Sequence, residues 1–188
     1  MNWWLKVRRA HILAPTTIIL FTVLVAVVGD RTMVLPTFTA GSTAGTRVML
    51  FVPVAITVGV MACLEARLPA PELASTRHVP LLDAGLALTV VSTCVCTAYA
   101  LGQPTAGRNA LFLTGLMLCA RPLVGQKAVM MPVAWLLAVL FVGYRTPQDS
   151  YPWAILPEPA GAAHATAIAV VAFTIGLASL LRSPRNTT

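Results

Sequence analysis

Residues 11–29 read HILAPTTIILFTVLVAVVG, a stretch that contains no Asp, Glu, Lys or Arg. A helix that crosses the hydrocarbon core of a bilayer, about 30 Å thick, needs about 20 residues of this kind. Basic residues precede the stretch, as they do in a signal peptide. Its apolar part is nevertheless longer than a signal-peptide core, and Asp30-Arg31 follows where small residues of a cleavage site belong. We therefore predict a retained transmembrane helix.

Five more apolar runs follow, and nearly all the charged residues lie in the short gaps between them. Hydrophobic residues make up 57% of the 188 residues, charged residues make up 10%, and the mean hydropathy is +0.81. A soluble domain is about one quarter charged. The sequence predicts an all-α polytopic membrane protein with a single transmembrane domain, residues 1–188. Its six predicted helices cover residues 11–29, 48–64, 81–101, 110–124, 128–144 and 162–181.

The fourth run is the weakest of the six. Only residues 109–120 separate Arg108 from Arg121, although both arginines could extend their side chains outwards to the bilayer surface. Two arrangements therefore stay open for runs four and five. They either cross the membrane twice or form a re-entrant hairpin.

The distribution of lysine and arginine predicts the orientation, because cytoplasmic gaps retain these residues. With the N-terminus inside and six crossings, nine of the 13 basic residues lie inside and both termini are cytoplasmic. The net charge of +7 is dispersed along the chain, which fits topology and anionic lipid and argues against a nucleic-acid partner. The inner residues are Lys6, Arg8, Arg9, Arg67, Arg77, Arg121, Lys127, Arg182 and Arg185; the outer ones are Arg31, Arg47, Arg108 and Arg145.

Aromatic residues at two places predict contacts with lipid head groups. Trp3 and Trp4 stand before the basic residues of the N-terminus, which predicts a short interfacial helix that anchors the chain. Tyr151 and Trp153 lie in the outer gap 145–161, whose prolines predict short turns in place of a long helix.

The sequence carries no catalytic signature. It has no Walker A loop, no H-E-x-x-H, no G-x-S-x-G and no paired carboxylates within a run, so we expect no enzyme, no metal and no cofactor. An intramembrane enzyme that uses Glu65, His78 or Asp83 would lack a convergent polar cluster. The cysteines all lie inside apolar runs, where packing is their ordinary role. They are Cys63, Cys94, Cys96 and Cys119.

The gap between runs two and three is the richest in charge. Residues 63–85 read CLEARLPAPELASTRHVPLLDAG, with charges of both signs and a proline that can begin a short surface helix. Because charges at a membrane boundary are expensive unless paired, we expect Glu65 and Asp83 to meet Arg67, Arg77 or Arg121. The gap is either a solvated turn or a docking element for a cytoplasmic partner.

Small residues at helical spacing mark two faces suited to close helix contact in lipid. One lies on the fourth run and one on the sixth. Either face could pack inside the chain or against a second copy. The residues are Gly115, Cys119, Ala165, Ala169, Ala172 and Gly176, with Thr114 and Ser179 beside them.

The order of these features resembles the transmembrane subunit of type-2 ABC exporters. The shared order is an inner amphipathic N-terminus, six crossings, a short cytoplasmic helix between the second and third, and an outer excursion before the sixth. The segments LPAPELASTR (68–77) and RNALFLTGLMLCAR (108–121) also resemble small actinobacterial permease-like membrane proteins. This chain is shorter than typical members, which also fits an accessory subunit.

The resemblance implies a location in a bacterial plasma membrane and two protein partners. These are a cytoplasmic ABC-type ATPase and a second permease chain, the same or different. It implies that segment 151–159 forms a lid over a pathway between permease chains, and that the chain exports a hydrophobic or peptide-like substrate. The alternative is a non-transporting scaffold, an immunity protein or an accessory subunit. The residues that would couple the chain to the ATPase are Glu65, Arg67, Glu72, Arg77 and Asp83.

Overall fold

The computed structural model describes residues 10–29, 31–37, 42–66, 79–146 and 149–182, with the side chains of 10, 34–37, 42–46 and 79 excepted. Helices dominate the described residues, as the apolar runs predict. We number them α1 (Ala10–Val28), α2 (Val52–Glu65), α3 (Val79–Ala100), α4 (Pro104–Val124), α5 (Met130–Val142) and α6 (Ala163–Arg182).

Five stretches of the described residues are long and apolar enough to cross a membrane. The chain is therefore a multi-pass membrane protein of the helical class. The fourth stretch joins α4, α5 and the link between them into one run of 39 residues. The stretches are His11–Val28, Val48–Glu65, Pro80–Ala100, Pro104–Val142 and Ala163–Arg182.

The chain nevertheless reverses direction within this long fourth stretch. A 3₁₀ helix, Gly125–Val129, links α4 to α5. Gly125 has φ 57°, a left-handed conformation that glycine adopts without steric cost. The rings of Phe112 and Trp135 then lie 5.6 Å apart, whereas a continuous helix would separate them by about 35 Å. α4 and α5 therefore form an antiparallel helical hairpin.

Two short β-hairpins occupy gaps that the sequence did not predict to contain strands. β1 (Thr32–Thr37) pairs with β2 (Ser42–Arg47) between α1 and α2, with Thr32 opposite Arg47. β3 (Tyr144–Thr146) pairs with β4 (Asp149–Ser150) directly after α5. Both hairpins are short and lie between helices, and the part of the described chain that could span a membrane is helical, as the all-α class predicts.

Helix α4 lies at the centre of the bundle and packs against α2, α3, α5 and α6. The larger apolar core joins α1, α2, α3, α4 and α6, and a second core joins α4, α5 and α6 to residues 154–156. Glycines allow the close contacts between helices: Gly59 of α2 faces Thr17 of α1, and Gly107 of α4 faces Val95 of α3. The centre of the chain is consequently filled by side chains of its own helices.

Candidate functional site

The candidate site is helix α4, which carries one arginine near each of its ends. Pro104 occupies the first turn, where its missing N–H costs no hydrogen bond, and Gly125 ends the helix. Arg108 lies in the second turn and Arg121 in the last. We call the two surroundings the Arg108 end and the Arg121 end of the molecule.

At the Arg121 end, the guanidinium joins α4 to the last turn of α2. Its Nη2 atom lies 3.3 Å from Oε1 of Glu65 and donates a hydrogen bond of 3.4 Å to the carbonyl of Leu64. The side chains of Arg121 and Glu65 are only 11% and 27% exposed, which limits screening of the pair by solvent. This ion pair is one of those that the sequence suggested for Glu65.

The other predicted coupling residues divide into two groups. Asp83 is 2% exposed and lies at the beginning of α3, whose first residue is Val79. Arg67, Glu72 and Arg77 lie outside the described residues.

At the Arg108 end, the guanidinium binds backbone carbonyls of the loop that precedes α6. Nη1 donates to Pro159 at 3.0 Å, and Nη2 lies within hydrogen-bonding distance of Ile155, Leu156 and Glu158, at 2.9, 3.2 and 2.8 Å. A guanidinium supplies five N–H donors in one plane and is suited to such a ring of acceptors. We call this arrangement the Arg108 carbonyl ring.

Asn109 completes the carbonyl ring. Its amide oxygen accepts hydrogen bonds from Nε and Nη2 of Arg108 at 3.3 and 3.1 Å, and its amide nitrogen donates to the carbonyl of Leu156 at 3.0 Å. Arg108 and Asn109 are only 6% and 2% exposed. The sequence allowed the Arg108 side chain to extend outwards to the bilayer surface; in the structure the carbonyls of the loop satisfy its charge inside the protein.

The loop itself is packed into the end of the bundle. Ala154, Ile155 and Leu156 are at most 4% exposed and belong to the second apolar core. Ser150 donates a hydrogen bond of 3.0 Å to Oε1 of Glu158, whose other oxygen lies 4.0 Å from Nε2 of His164. Residues 154–156 thus close this end of the chain by direct packing.

The predicted aromatic anchors of the same gap lie beside the loop. Tyr151 and Trp153 stack with ring centroids 6.4 Å apart, and Trp153 also makes an edge contact with Trp135 at 6.2 Å. Trp153 is 41% exposed, which fits a position at a membrane surface. Trp3 and Trp4 lie outside the described residues.

The small residues of α4 and α6 face one another in a parallel helix contact. A Cβ built on Gly115 would lie 2.5 Å from the backbone nitrogen of Phe173, and one on Gly176 would lie 2.8 Å from the carbonyl oxygen of Gly115. The structure therefore places this seam inside the chain. Cys119 donates to the carbonyl of Ala172 at 3.5 Å, and Ala165 and Ala169 are buried further along the seam.

A proline in α4 explains one polar contact across this seam. Pro122 lacks the N–H that would bind the carbonyl of Leu118, four residues earlier. Ser179 of α6 places its hydroxyl 2.9 Å from that carbonyl and 2.7 Å from the carbonyl of Gly176. The single hydroxyl hydrogen of Ser179 is thus shared between the two carbonyls, one of which is the Leu118 carbonyl that Pro122 leaves without its usual N–H donor.

The cysteines do not form a metal site in the part of the chain that the structure describes. No group of three His, Cys, Asp or Glu side chains there could hold a metal ion. Cys63 and Cys94 are buried and Cys96 is exposed on α3.

An apolar groove of about 450 Å³ lies between α1 and α3. The hydroxyls of Thr89 and Thr93 in its wall donate to carbonyls of their own helix, so the groove presents no free donor from them. Gly85 lies one turn before Thr89 with open space around it. The lining residues are Ala14, Pro15, Ile18, Ile19, Leu86, Thr89, Val90 and Thr93.

No protein-family model, no curated protein and no solved structure matches this chain. Its class accordingly rests on the five long apolar helices and their packing: it is a multi-pass helical membrane protein.

Proposed function

We propose that the chain is the membrane subunit of an ATP-driven exporter in a bacterial plasma membrane, powered by a separate cytoplasmic ATPase. The observation that carries the proposal is the position of α4. This one helix holds the end of α2 through Arg121 and the loop 155–159 through Arg108. The two arginines are 13 residues apart, which corresponds to about 20 Å along the helix axis. A movement of α2 at the Arg121 end would therefore be transmitted through α4 to the loop at the Arg108 end.

We expect the ATPase to bind the segment between α2 and α3. Glu65 is the last residue of α2, and α3 begins at Val79, so a partner bound to the intervening segment would act on both helices. The Glu65–Arg121 pair would pass this movement to α4, and the close seam at Gly115 would carry α6 with it. This movement requires two arrangements of the helices. ATP binding to the partner would shift the chain from one to the other only if the ATP-bound partner binds the second arrangement more tightly.

The proposed pathway lies between this chain and a second permease chain. The centre of the described bundle is filled by apolar side chains, so a pathway between chains suits it better than one within it. The exposed face of α3 that carries Gly85, Thr89 and Thr93 has the small residues that helix contacts in lipid favour. An apolar surface of this kind suits a hydrophobic or peptide-like substrate.

The test combines two charge changes in the coupling segment. Glu72→Lys with Arg77→Glu keeps the net charge but reverses both signs, and we expect the partner's ATPase activity to lose its stimulation by the membrane subunit. Arg145→Glu with Asp149→Lys makes the same exchange at exposed positions of the Arg108 end and serves as the matched control. Stimulation that survives the first exchange, or membranes in which no nucleotide-binding protein associates with the chain, would overturn the proposal.

The second candidate is a non-transporting scaffold, an immunity protein or an accessory subunit of a larger complex. The packed loop 154–156 favours it, because those residues close one end of the bundle by direct contact instead of standing over an open path. A monomeric chain that confers resistance to a peptide without any ATPase would support this candidate and exclude the exporter.

A further inference from the structure

The turn between α4 and α5, residues 122–131, has a surface that neither candidate function uses. We call it the α4–α5 turn. Four of its apolar side chains are exposed: Leu123 by 86%, Met130 by 61%, Val124 by 46% and Met131 by 41%. Lys127 is exposed among them, whereas Ala128 is buried. The turn is therefore apolar and basic, and open on its outer side.

The length of α4 places the turn at a membrane boundary. The 21 residues of α4 correspond to about 31 Å, whereas the 13 residues of α5, without the 3₁₀ link that belongs to the turn, correspond to about 20 Å. The length of α4 therefore matches the thickness of a hydrocarbon core. The Glu65–Arg121 pair lies immediately before the turn and suits the polar edge of that core.

The charge of the turn favours contact with an anionic lipid surface over contact with a soluble protein. Arg121 and Lys127 are the only charged residues from 109 to 144, and both are basic. Apolar side chains mixed with lysine suit the boundary between acyl chains and anionic head groups, which attract basic residues. The exposed side of α5, with Leu137 and Phe141, continues the same apolar surface into the membrane.

We propose that the α4–α5 turn lies in the head-group zone of an anionic leaflet, with its four apolar side chains in the acyl region and Lys127 at the phosphates. The turn could instead be a docking site for a soluble protein partner. In that case its four large apolar side chains would be exposed to water whenever the partner is absent. Monomeric surfaces rarely carry patches of this kind. The lipid surface covers them at all times.

The experiment places a spin label at Val124→Cys in a chain whose four native cysteines are replaced by alanine. Collision rates with oxygen and with a water-soluble nickel complex report its depth in vesicles of phosphatidylcholine, with and without phosphatidylglycerol. Labels at Ile175→Cys, which is 56% exposed on α6, and at Thr146→Cys, in β3, mark the acyl and aqueous limits.

We expect an oxygen-to-nickel collision ratio at 124 several-fold above that at 146. Phosphatidylglycerol should move the label deeper in the chain with Lys127 and leave it unchanged in Lys127→Gln. An aqueous ratio at 124 in both lipids, as a surface for a soluble partner would give, overturns the proposal. An equal depth in both lipids overturns the assignment to an anionic leaflet.

Discussion

At the scale of single residues, Arg108 shows how a charge is accommodated inside this bundle. Its guanidinium meets the carbonyls of residues 155, 156, 158 and 159 and the amide of Asn109, so the buried charge has a full set of acceptors. The same contacts fix the loop in front of α6, because its carbonyls accept hydrogen bonds from Arg108 and not from water. One side chain therefore both satisfies its own charge and holds a segment about 50 residues away.

Replacing Arg108 with leucine should destabilise the chain and release the loop. The loop carbonyls would remain buried without this donor, a cost of about 1–3 kcal/mol in the free energy of unfolding. Arg108→Lys should recover only part of it, because an ammonium group cannot span the ring of acceptors. Thermal unfolding in detergent measures the stability, and protease cleavage between 151 and 160 measures the loop.

Arg145→Leu is the matched control, since Arg145 is exposed in β3. It should change neither the unfolding temperature nor the cleavage. If Arg108→Leu left the loop as resistant to protease as before, the carbonyl ring would not be what holds it.

At the scale of helices and hairpins, the sequence predicted some features well and missed others. Hydrophobic runs gave the positions of the helices because apolarity over about 20 residues is a local property. The run placed at 110–124 begins six residues earlier, at Pro104, because Arg108 lies inside the helix and its charge is met by the loop. No local pattern reports a contact about 50 residues away. The pair Arg108-Asn109 in an otherwise apolar run was the available signal.

The hydrogen bond from Ser179 to Leu118 should depend on Pro122. Ser179→Ala should lower the free energy of unfolding by about 0.5–1.7 kcal/mol, the range for such contacts within membrane bundles. In a chain that carries Pro122→Ala, the restored backbone N–H can bind the carbonyl of Leu118, so the same serine change should cost less. Unfolding of the two single variants and the double variant measures this difference.

Additive costs in the double variant would show that the serine and the proline act independently. They would contradict the assignment of the Ser179 hydroxyl to the carbonyl that Pro122 leaves free.

The seam between α4 and α6 should tolerate no added methyl group at Gly115. A Cβ there would lie 2.5 Å from the backbone of Phe173, so Gly115→Ala must separate the two helices and should cost about 1–3 kcal/mol. Gly85→Ala on α3 meets open space and should stabilise the chain by about 0.5–1 kcal/mol, as an alanine does in a helix. Thermal unfolding of both variants gives the comparison, and equal effects at the two sites would contradict a tight α4–α6 contact.

At the scale of the whole molecule, α4 joins two ends of different character. The Arg121 end carries the ion pair with Glu65, the buried Asp83 and the basic α4–α5 turn. The Arg108 end carries both β-hairpins and the packed aromatic loop. The proposed function requires that the first end face the cytoplasm, where an ATPase can reach it, and that the second face outwards. The excess of basic residues predicts this orientation.

The most direct test labels single cysteines from each side of the membrane with an impermeant maleimide. The cysteines are placed at Gln126 in the α4–α5 turn, at Met33 in β1 and at Asp149 in β4, in a chain without native cysteines. We predict that 126 reacts only from the cytoplasmic side, and that 33 and 149 react only from the outside. Reaction of 126 and 149 from the same side would make α4 and α5 a re-entrant hairpin. Reaction of 126 only from the outside, with 33 and 149 only from the inside, would invert the orientation and place the proposed coupling end beyond the reach of any cytoplasmic ATPase.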